Sequence, residues 1–305
     1  MSKALKIIFL GTPDFAAASL RKLVENGIQI VAVVTAPDKP MGRGKKVGTS
    51  AVKDYSLEVG LPILQPTNLK DSSFLKELKS FQADLQIVVA FRMLPEAVWN
   101  MPPLGTFNLH ASLLPQYRGA APINWAIING EKETGVTTFF LKHEIDTGEI
   151  IYQEKEPIHV HDNVGTLYER LMQKGADLVL KTTQAIQAGN YPQTPQKVTE
   201  DLKPAPKIFR EDCKINWDQP AQKVHDFVRG MSPYPAAWTI LHNKTLKIFK
   251  TEITDDLPLD QVANYTIYEG NLYFQAADGW LKVVELQIEG KRRMKTEEFL
   301  RGFKG

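Results

Sequence analysis

The sequence predicts an α/β fold, with a Rossmann-like, mostly parallel sheet domain followed by a smaller, OB-fold-like β-barrel domain. Three observations lead to this prediction. Short apolar segments alternate with amphipathic segments up to residue 188, prolines are frequent in residues 189–206, and short alternating segments separated by turn residues fill the remainder. The first pattern is typical of βαβ units, and the last is typical of small antiparallel barrels.

The first 35 residues predict a βαβ unit, which begins a parallel sheet. Residues 4–10 are short and apolar, residues 14–25 have helical spacing, and residues 28–35 are rich in β-branched side chains. The same alternation then continues. It predicts helices at 50–58, 72–81, 122–129 and 164–188, and strands at 62–64, 85–90, 105–110 and 133–141.

The composition changes after residue 188. Residues 189–206 are rich in proline and poor in large apolar side chains, which indicates a linker. Beyond it, residues 238–249, 265–274 and 280–288 alternate between apolar and polar and are broken by turn residues. We therefore predict a catalytic domain at 1–188, a linker at 189–206 and a C-terminal barrel domain at 207–305.

Composition excludes several classes of protein. A hydrophobic fraction of 43% and a charged fraction of 24% are ordinary for a soluble globular chain, and the net charge of +2 gives no overall reason to expect nucleic-acid binding. The single cysteine, Cys213, excludes an intramolecular disulfide and a multi-thiolate zinc site. His159 and His161 have no third ligand nearby, so no metal is predicted. No apolar run approaches the roughly 20 residues that span a bilayer, so we expect a cytoplasmic protein.

Two polar residues near the end of one predicted strand form the strongest candidate site. Asn108 and His110 point to the same side of that strand because side chains alternate with a period of two. Open α/β sheets bind ligands at the carboxyl ends of their strands. Asp146, in a loop after a later predicted strand, would join the pair if that loop folds over the sheet edge.

The first turn of the chain argues against a dinucleotide-binding enzyme. It starts with Gly11 but lacks the other glycines of the dinucleotide fingerprint, and Pro13 removes a backbone N–H that phosphates would use. A nicotinamide oxidoreductase therefore remains only a fold-level alternative.

Two longer segments resemble the signatures of the folate-dependent formyltransferases. The first is Asn108-Leu109-His110 followed by Ser112 to Gly119, and the second is Ile145-Asp146-Thr147-Gly148. Residues 9–15 and 43–46 resemble the members that act on methionyl-tRNA. The resemblance covers essentially the whole chain, including the linker and the C-terminal domain.

The resemblance implies that 10-formyltetrahydrofolate, a reduced folate, donates the formyl group, and that initiator methionyl-tRNA accepts it. Asn108 and His110 would stabilise an oxyanion, with His110 also protonating the leaving nitrogen and Asp146 orienting the imidazole. No covalent enzyme intermediate is required, so Ser112 is not expected to be a nucleophile. The resemblance also suggests a monomer.

The resemblance implies two sets of folate contacts. One is provided by the backbone and apolar surface of Ser112, Leu113, Leu114 and Pro115. The other is the segment after the predicted strand 85–90, which lines the pterin site in relatives. There the usual tyrosine-glycine pair is replaced, and the candidate contacts are Arg92, Met93 and Leu94.

A basic, glycine-rich stretch is the candidate tRNA contact. Arg43, Lys45 and Lys46 follow Lys39 closely, with no acidic residue between them. A flexible basic loop can follow phosphates at little steric cost. A second basic cluster, residues 291–295, lies in the predicted barrel.

Four other interpretations remain open. The same chemistry could act on glycinamide ribonucleotide or on an amino sugar. Water could replace the amine, which would give a hydrolase that releases formate from the folate. The chain could also be a catalytically silent RNA-binding module, although a binder has no need of Asn108, His110 and Asp146 together.

Overall fold

The computed structural model describes residues 4–41, 46–197, 200–254 and 264–303. The chain forms two compact units. The first takes its residues from 1–118, 135–156 and 169–203, and the second from 119–134, 157–168 and 204–305.

The first two-thirds of the chain alternates strands and helices, as the sequence predicts. The elements are β1 (Ile7–Gly11), α1 (Asp14–Glu25), β2 (Ile30–Val34), β3 (Lys39–Met41), β4 (Lys46–Gly48), α2 (Ala51–Glu58), β5 (Ile63–Leu64), α3 (Ser72–Ser80), β6 (Leu85–Val89), α4 (Glu96–Trp99), β7 (Thr106–His110), α5 (Pro122–Ile128), β8 (Glu133–Phe140), β9 (Ile150–Pro157) and α6 (Val164–Gln187). In the described ranges, no helix is both long and apolar enough to cross a membrane.

A seven-stranded sheet forms the centre of the first unit, in the order β5-β2-β1-β6-β7-β8-β9. The pairs from β5 to β7 are all parallel, and β8 is antiparallel to β7. The predicted mostly parallel sheet is therefore confirmed. Strand order reverses between β1 and β6, and such a reversal marks the crevice where open α/β sheets bind ligands.

Local sequence explains where these elements begin and end. All five residues of β1 are buried, so its continuous apolar run fits a central strand. Helix α1 ends at Asn26, followed by Gly27 with φ of 73°, a left-handed conformation that glycine adopts without strain. The Ser50 side chain caps α2, and the Asp71 carboxylate caps α3 by accepting two backbone N–H groups.

One element between β8 and α6 differs from the sequence analysis. Strand β9 was not predicted, because only Ile151 and Glu156 are buried and polar or charged side chains fill most of the rest, so its sequence has no regular apolar alternation. His159 and His161 lie in the turn after this strand, where the Asp162 carboxylate accepts the His159 backbone N–H at 2.7 Å.

The second unit contains a six-stranded sheet. Its elements are a 3-10 turn (Glu211–Cys213), α7 (Ala221–Met231), β10 (Ala237–Leu241), β11 (Lys244–Thr254), β12 (Tyr265–Tyr268), β13 (Asn271–Gln275), β14 (Trp280–Ile288), β15 (Met294–Lys295) and α8 (Thr296–Arg301). The order is β10-β11-β14-β13-β12, with β15 on β14, and every pair is antiparallel. The predicted smaller antiparallel domain is confirmed.

Helix α7 was absent from the sequence analysis and packs within this unit. It buries Ala221, Val224 and Val228 on one face, at the spacing of an amphipathic helix. The helix lies close to α5: Asn124 donates to the Gly230 carbonyl at 2.9 Å, and a Cβ at Gly230 would lie 2.5 Å from the Ile128 side chain. A side chain at position 230 would therefore force Ile128 to move.

The single cysteine lies in the apolar core of the second unit. Cys213 is 1% exposed and packs among the side chains of the antiparallel sheet and α7. Its thiol donates to the Phe209 carbonyl at 3.2 Å. Cys213 is therefore a small core residue here.

A buried carboxylate, Glu156, provides a test of the first unit's stability. Burial alone would raise the pKa of Glu156, but hydrogen bonds from Arg170 and Lys174, at 2.7 and 3.2 Å, outweigh it and lower this pKa. A lowered pKa in the folded state stabilises the protein above the unfolded-state pKa of about 4.3, and this stabilisation is lost as pH falls.

We expect Glu156→Gln to lower the free energy of unfolding by about 1–3 kcal/mol at pH 7, because the charged hydrogen bonds are lost. The difference from the wild type should shrink as the pH falls below about 4. Urea unfolding at pH 7 and pH 3.5 measures both. An equal loss at the two pH values would contradict the assigned role of this carboxylate.

Candidate active site

The candidate site is built on β7, one strand away from the point where strand order reverses. The strand lies between β6 and β8, and Asn108 is paired with Val88 on one side and Phe139 on the other. Asn108 and His110 share one face of β7, as predicted, while Leu109 between them lies near Gly175 of α6 on the other face.

His110 is held at one ring nitrogen by the backbone. The side chain is 6% exposed, and its Nε2 lies 2.8 Å from the carbonyl oxygen of Tyr117. A carbonyl can only accept, so Nε2 carries a hydrogen in this arrangement. The other nitrogen, Nδ1, is therefore the one available for proton transfer.

Asp146 meets that second nitrogen. Its Oδ2 lies 3.8 Å from His110 Nδ1, and both side chains are almost entirely buried. This distance exceeds a direct hydrogen bond but suits attraction between a carboxylate and a protonated imidazole. The loop that carries Asp146 therefore folds over the sheet edge, and residues 36 positions apart in the sequence come together.

Asn108 differs from its neighbours in having an unused amide. It is partly buried, and its side chain makes no hydrogen bond with the described part of the chain. A side-chain amide N–H fixed on a strand can donate to a negatively charged oxygen that develops during a reaction. The arrangement thus provides one amide donor, one imidazole and one carboxylate at the same edge of the sheet.

The segment after His110 is held by buried hydrogen bonds. The Ser112 hydroxyl is buried and donates to the Gln116 carbonyl at 2.6 Å, so it is not presented as a nucleophile. Thr137 Oγ1 donates to the Ser112 carbonyl, and Gln153 Nε2 donates to the Leu114 carbonyl at 2.8 Å. Leu113 and Pro115 are partly buried beside the nearly buried Leu114.

The second predicted folate segment follows β6. The Arg92 guanidinium donates to the Pro66 and Thr67 carbonyls, which connects this segment to the loop after β5. Met93 is 74% exposed, whereas Leu94 packs against the apolar core on this face of the sheet. The segment lies at the carboxyl end of the strand next to β7, on the same sheet edge as Asn108 and His110.

The predicted tRNA contacts fall partly outside the described residues. Arg43 and Lys45 lie outside them, whereas Lys46 begins β4, which forms a two-stranded hairpin with β3. Lys39 and Lys46, the two ends of the stretch predicted as a flexible loop, therefore lie in paired strands. In the other basic cluster, Arg292 pairs with Glu298 and Arg293 with Glu285, each at 2.5 Å.

Sequence reasoning missed several residues that hold the site together. Tyr117 contributes its carbonyl to His110, Gln153 and Thr137 hold the segment after β7, and Gln196 contacts the Asp146 loop. Most of these contacts use backbone atoms or join residues far apart in sequence, so no local pattern indicated them. Among the described residues, no group of three or more histidine, cysteine, aspartate or glutamate side chains is arranged to hold a metal ion.

Comparison with known families identifies the family of this chain. Residues 5–183 match the family described as formyl transferase, and residues 207–304 match the family described as formyl transferase, C-terminal domain. Together the two matches cover nearly the whole chain. This chain belongs to the formyl transferase family.

Its similar curated relatives share one name. The methionyl-tRNA formyltransferase of Bacteroides fragilis is 54% identical over 308 residues, which cover 98% of this chain and 95% of that protein.

Two solved structures share the fold. An N-formyltransferase from Helicobacter canadensis, in complex with folinic acid and dTDP-3-aminofucose, aligns with a TM-score of 0.69 and 21% identity over 95% of this chain and all of that one. HypX from Aquifex aeolicus, in complex with tetrahydrofolic acid, aligns with a TM-score of 0.65 and 20% identity over 98% of this chain. The present chain spans about half the length of HypX, with 47% covered.

Proposed function

We propose that this protein transfers the formyl group of 10-formyltetrahydrofolate to the amino group of initiator methionyl-tRNA. The observation that carries the proposal is the buried His110–Asp146 pair, with Nδ1 and Oδ2 3.8 Å apart, on the same sheet edge as the unused amide of Asn108. The name shared by the similar relatives supports methionyl-tRNA as the acceptor.

The reaction forms one bond and breaks one. The neutral amine attacks the formyl carbon, a C–N bond forms, and the formyl oxygen becomes an oxyanion. The intermediate then collapses, the bond from that carbon to the folate N10 breaks, and N10 gains a proton. Overall, one proton leaves the attacking amine and one arrives at N10, so no oxidant or reductant is needed.

The three polar side chains have different roles in these steps. The Asn108 amide donates to the oxyanion, and a single such donor contributes about 10²–10³ in rate. His110 keeps its Nε2 hydrogen on the Tyr117 carbonyl and uses Nδ1 as the acid that protonates N10. Asp146 stabilises the charged imidazole, and a water beside it accepts the proton of the amine.

The folate is held by two segments of the first unit. Ser112, Leu113, Leu114 and Pro115 offer backbone groups and apolar surface, whereas Arg92, Met93 and Leu94 line the pterin side. The Arg92 guanidinium is already bonded to two carbonyls, so its part in folate binding is to shape the segment. The exposed Met93 is free to cover an apolar ring.

The acceptor is bound by basic residues of the hairpin and by the C-terminal domain. We assign catalysis to residues 1–188, connection to 189–206 and further tRNA contact to 207–305. Arg292 and Arg293 form ion pairs with glutamates, which offset their positive charge. The basic residues of 39–46 therefore attract phosphates more strongly than this second cluster does. In our proposal the enzyme acts as a monomer in the cytoplasm.

We expect replacement of Arg43, Lys45 and Lys46 by glutamine to weaken tRNA binding and to flatten its salt dependence. Each lost phosphate contact lowers the slope of log K against log[salt] by about 0.9 for duplex nucleic acid. Filter binding between 50 and 200 mM salt measures the slope. An unchanged slope would exclude these side chains from phosphate contact; the matched control replaces the three exposed lysines Lys70, Lys76 and Lys79.

The test of the activity uses the purified protein, 10-formyltetrahydrofolate and three acceptors: initiator methionyl-tRNA, free methionine and glycinamide ribonucleotide. Formyl transfer to methionyl-tRNA alone is the expected result. Transfer to another amine would support the proposed chemistry but exclude methionyl-tRNA as the acceptor. Release of formate without a formylated product would indicate a hydrolase. Absence of any turnover would favour a silent RNA-binding module.

A further inference from the structure

The segment predicted as a linker makes many contacts within the first unit. Residues 190–203, called here the strap, are described except for 198 and 199. Thr194 and Ile150 exchange two backbone hydrogen bonds at 2.8 and 2.9 Å, and the Tyr191 ring packs 5.8 Å from that of Phe140. Further along, the Lys203 carbonyl accepts the Tyr117 backbone N–H at 2.7 Å. The strap therefore contacts both segments that form the catalytic pair.

One strap side chain reaches the Asp146 loop directly. Gln196 Nε2 donates to the carbonyl oxygens of Asp146 and Gly148, at 2.8 and 2.9 Å. Both N–H groups of the amide are thus used on a single turn of the loop. The side chain is partly buried, so these hydrogen bonds are shielded from competing water.

The loop needs such support because its backbone is unusual. Asp146 has a φ of 55°, in the left-handed region that residues other than glycine rarely occupy. Two residues on, a Cβ at Gly148 would lie 1.5 Å from the Phe140 carbonyl oxygen, so the loop approaches β8 as closely as backbone allows. Hydrogen bonds to the carbonyls on either side of this turn fix the direction in which the Asp146 carboxylate points.

The same amide is connected to the His110 side of the pair. Gln196 Oε1 accepts from Arg118 Nε at 3.2 Å and from its terminal nitrogen at 2.6 Å. Arg118 directly follows Tyr117, whose carbonyl binds His110 Nε2. The amide nitrogen of Gln196 thus binds the loop that carries the Asp146 carboxylate. Its amide oxygen binds Arg118, in the segment that holds the His110 imidazole.

We propose that Gln196 is a positioning residue for the reaction, fixing the His110–Asp146 geometry from both sides through the Asp146 loop and Arg118. This inference rests on the proposed roles of His110 and Asp146. Gln196 touches neither reacting atom; it sets the separation and orientation of the two side chains that do. A misplacement of about 1 Å at a catalytic group can cost about 10²-fold in rate.

Two substitutions separate the contacts of Gln196. Gln196→Glu keeps an oxygen for Arg118 but turns the donating end into an acceptor that faces two carbonyls. Gln196→Met removes both contacts without adding charge. We expect kcat for formyl transfer to fall by about 10- to 100-fold in each, with KM for folate and for methionyl-tRNA within about twofold of the wild type.

The matched control is Gln193→Glu, the same chemical change on the same strap. Gln193 is exposed and its side chain makes no hydrogen bond with the described part of the chain. This variant should retain wild-type kcat and KM. Thermal unfolding of all three variants shows whether folded enzyme is being compared.

The decisive measurement adds Gln196→Glu to Asp146→Ala. If Gln196 acts through Asp146, the double variant is no slower than Asp146→Ala alone. A further 10-fold loss in that background, or wild-type kcat in folded Gln196→Glu, would overturn the inference while leaving the proposed function intact. Near-normal activity in Asp146→Ala itself would overturn the proposed role of the pair, and this inference with it.

Discussion

Formyl transfer by His110→Ala is expected to be slower than by the wild type by about 10²–10⁴-fold in kcat/KM. The imidazole is the only titratable ring on the polar face of β7, and its Nδ1 lies toward the Asp146 carboxylate. Without it, N10 of the folate would leave as a poorly stabilised anion or wait for a proton from water. Asp146→Ala should also lower kcat/KM, because the protonated imidazole loses its nearest negative charge.

A second substitution at position 110 distinguishes the loss of proton transfer from the loss of packing. His110 is buried, so alanine also leaves a space and could lower stability. His110→Gln supplies an amide donor for the Tyr117 carbonyl while removing the ring that carries the proton. It should fold like the wild type by thermal unfolding and still lack activity.

The control for both is His161→Ala, which removes an exposed histidine from the turn after β9. Steady-state rates with 10-formyltetrahydrofolate and methionyl-tRNA give kcat/KM for the four variants and the wild type. Folded His110→Gln and Asp146→Ala proteins with near-normal rates would refute the proposed chemistry.

The second large effect is expected at Asn108. Asn108→Ala should lower kcat by about 10²–10³-fold with little change in KM, because the amide donates to an oxyanion that exists only in the transition state and intermediate. Asn108→Asp has nearly the same size but would place a negative charge where the negative oxygen develops. We therefore expect the aspartate variant to be slower than the alanine variant.

This order of activities is the informative result. If Asn108 had only a packing role, the isosteric aspartate would be the milder change. An aspartate variant faster than the alanine variant would therefore contradict the oxyanion assignment. The matched control is Asn190→Ala, an exposed residue after α6 whose side chain makes no hydrogen bond with the described residues. Rapid-quench measurement of a single turnover would show that the loss lies in the chemical step.

Much of the first unit could be predicted from sequence because its strands are continuous apolar runs. Residues 7–11 and 85–89 are buried at every position, and such runs leave little doubt about a central parallel strand. Strand β9 was not predicted because three of its eight residues are charged. Helix α7 was not predicted because charged and polar residues separate its buried positions Ala221, Val224 and Val228, although these have helical spacing.

The candidate site was only partly accessible to the same reasoning. Asn108 and His110 share a strand, so alternation alone placed them on one face. The approach of Asp146 to His110 depends on a loop closing over the sheet, and it was expected from the resemblance. The contacts of Gln196 could not be predicted. The residue lies in a proline-rich stretch interpreted as a linker, and its three partners are about 50 to 80 residues away.

The burial of Cys213 has a practical consequence for labelling this protein. Burial raises the pKa of its thiol, and the thiolate is the form that reacts with maleimides and iodoacetamides. The folded wild type should therefore remain unlabelled by these reagents near neutral pH. A cysteine introduced at an exposed position, such as Gln193→Cys on the strap, would then be the single reactive thiol. One fluorophore per molecule could be attached without first removing the native cysteine from the core.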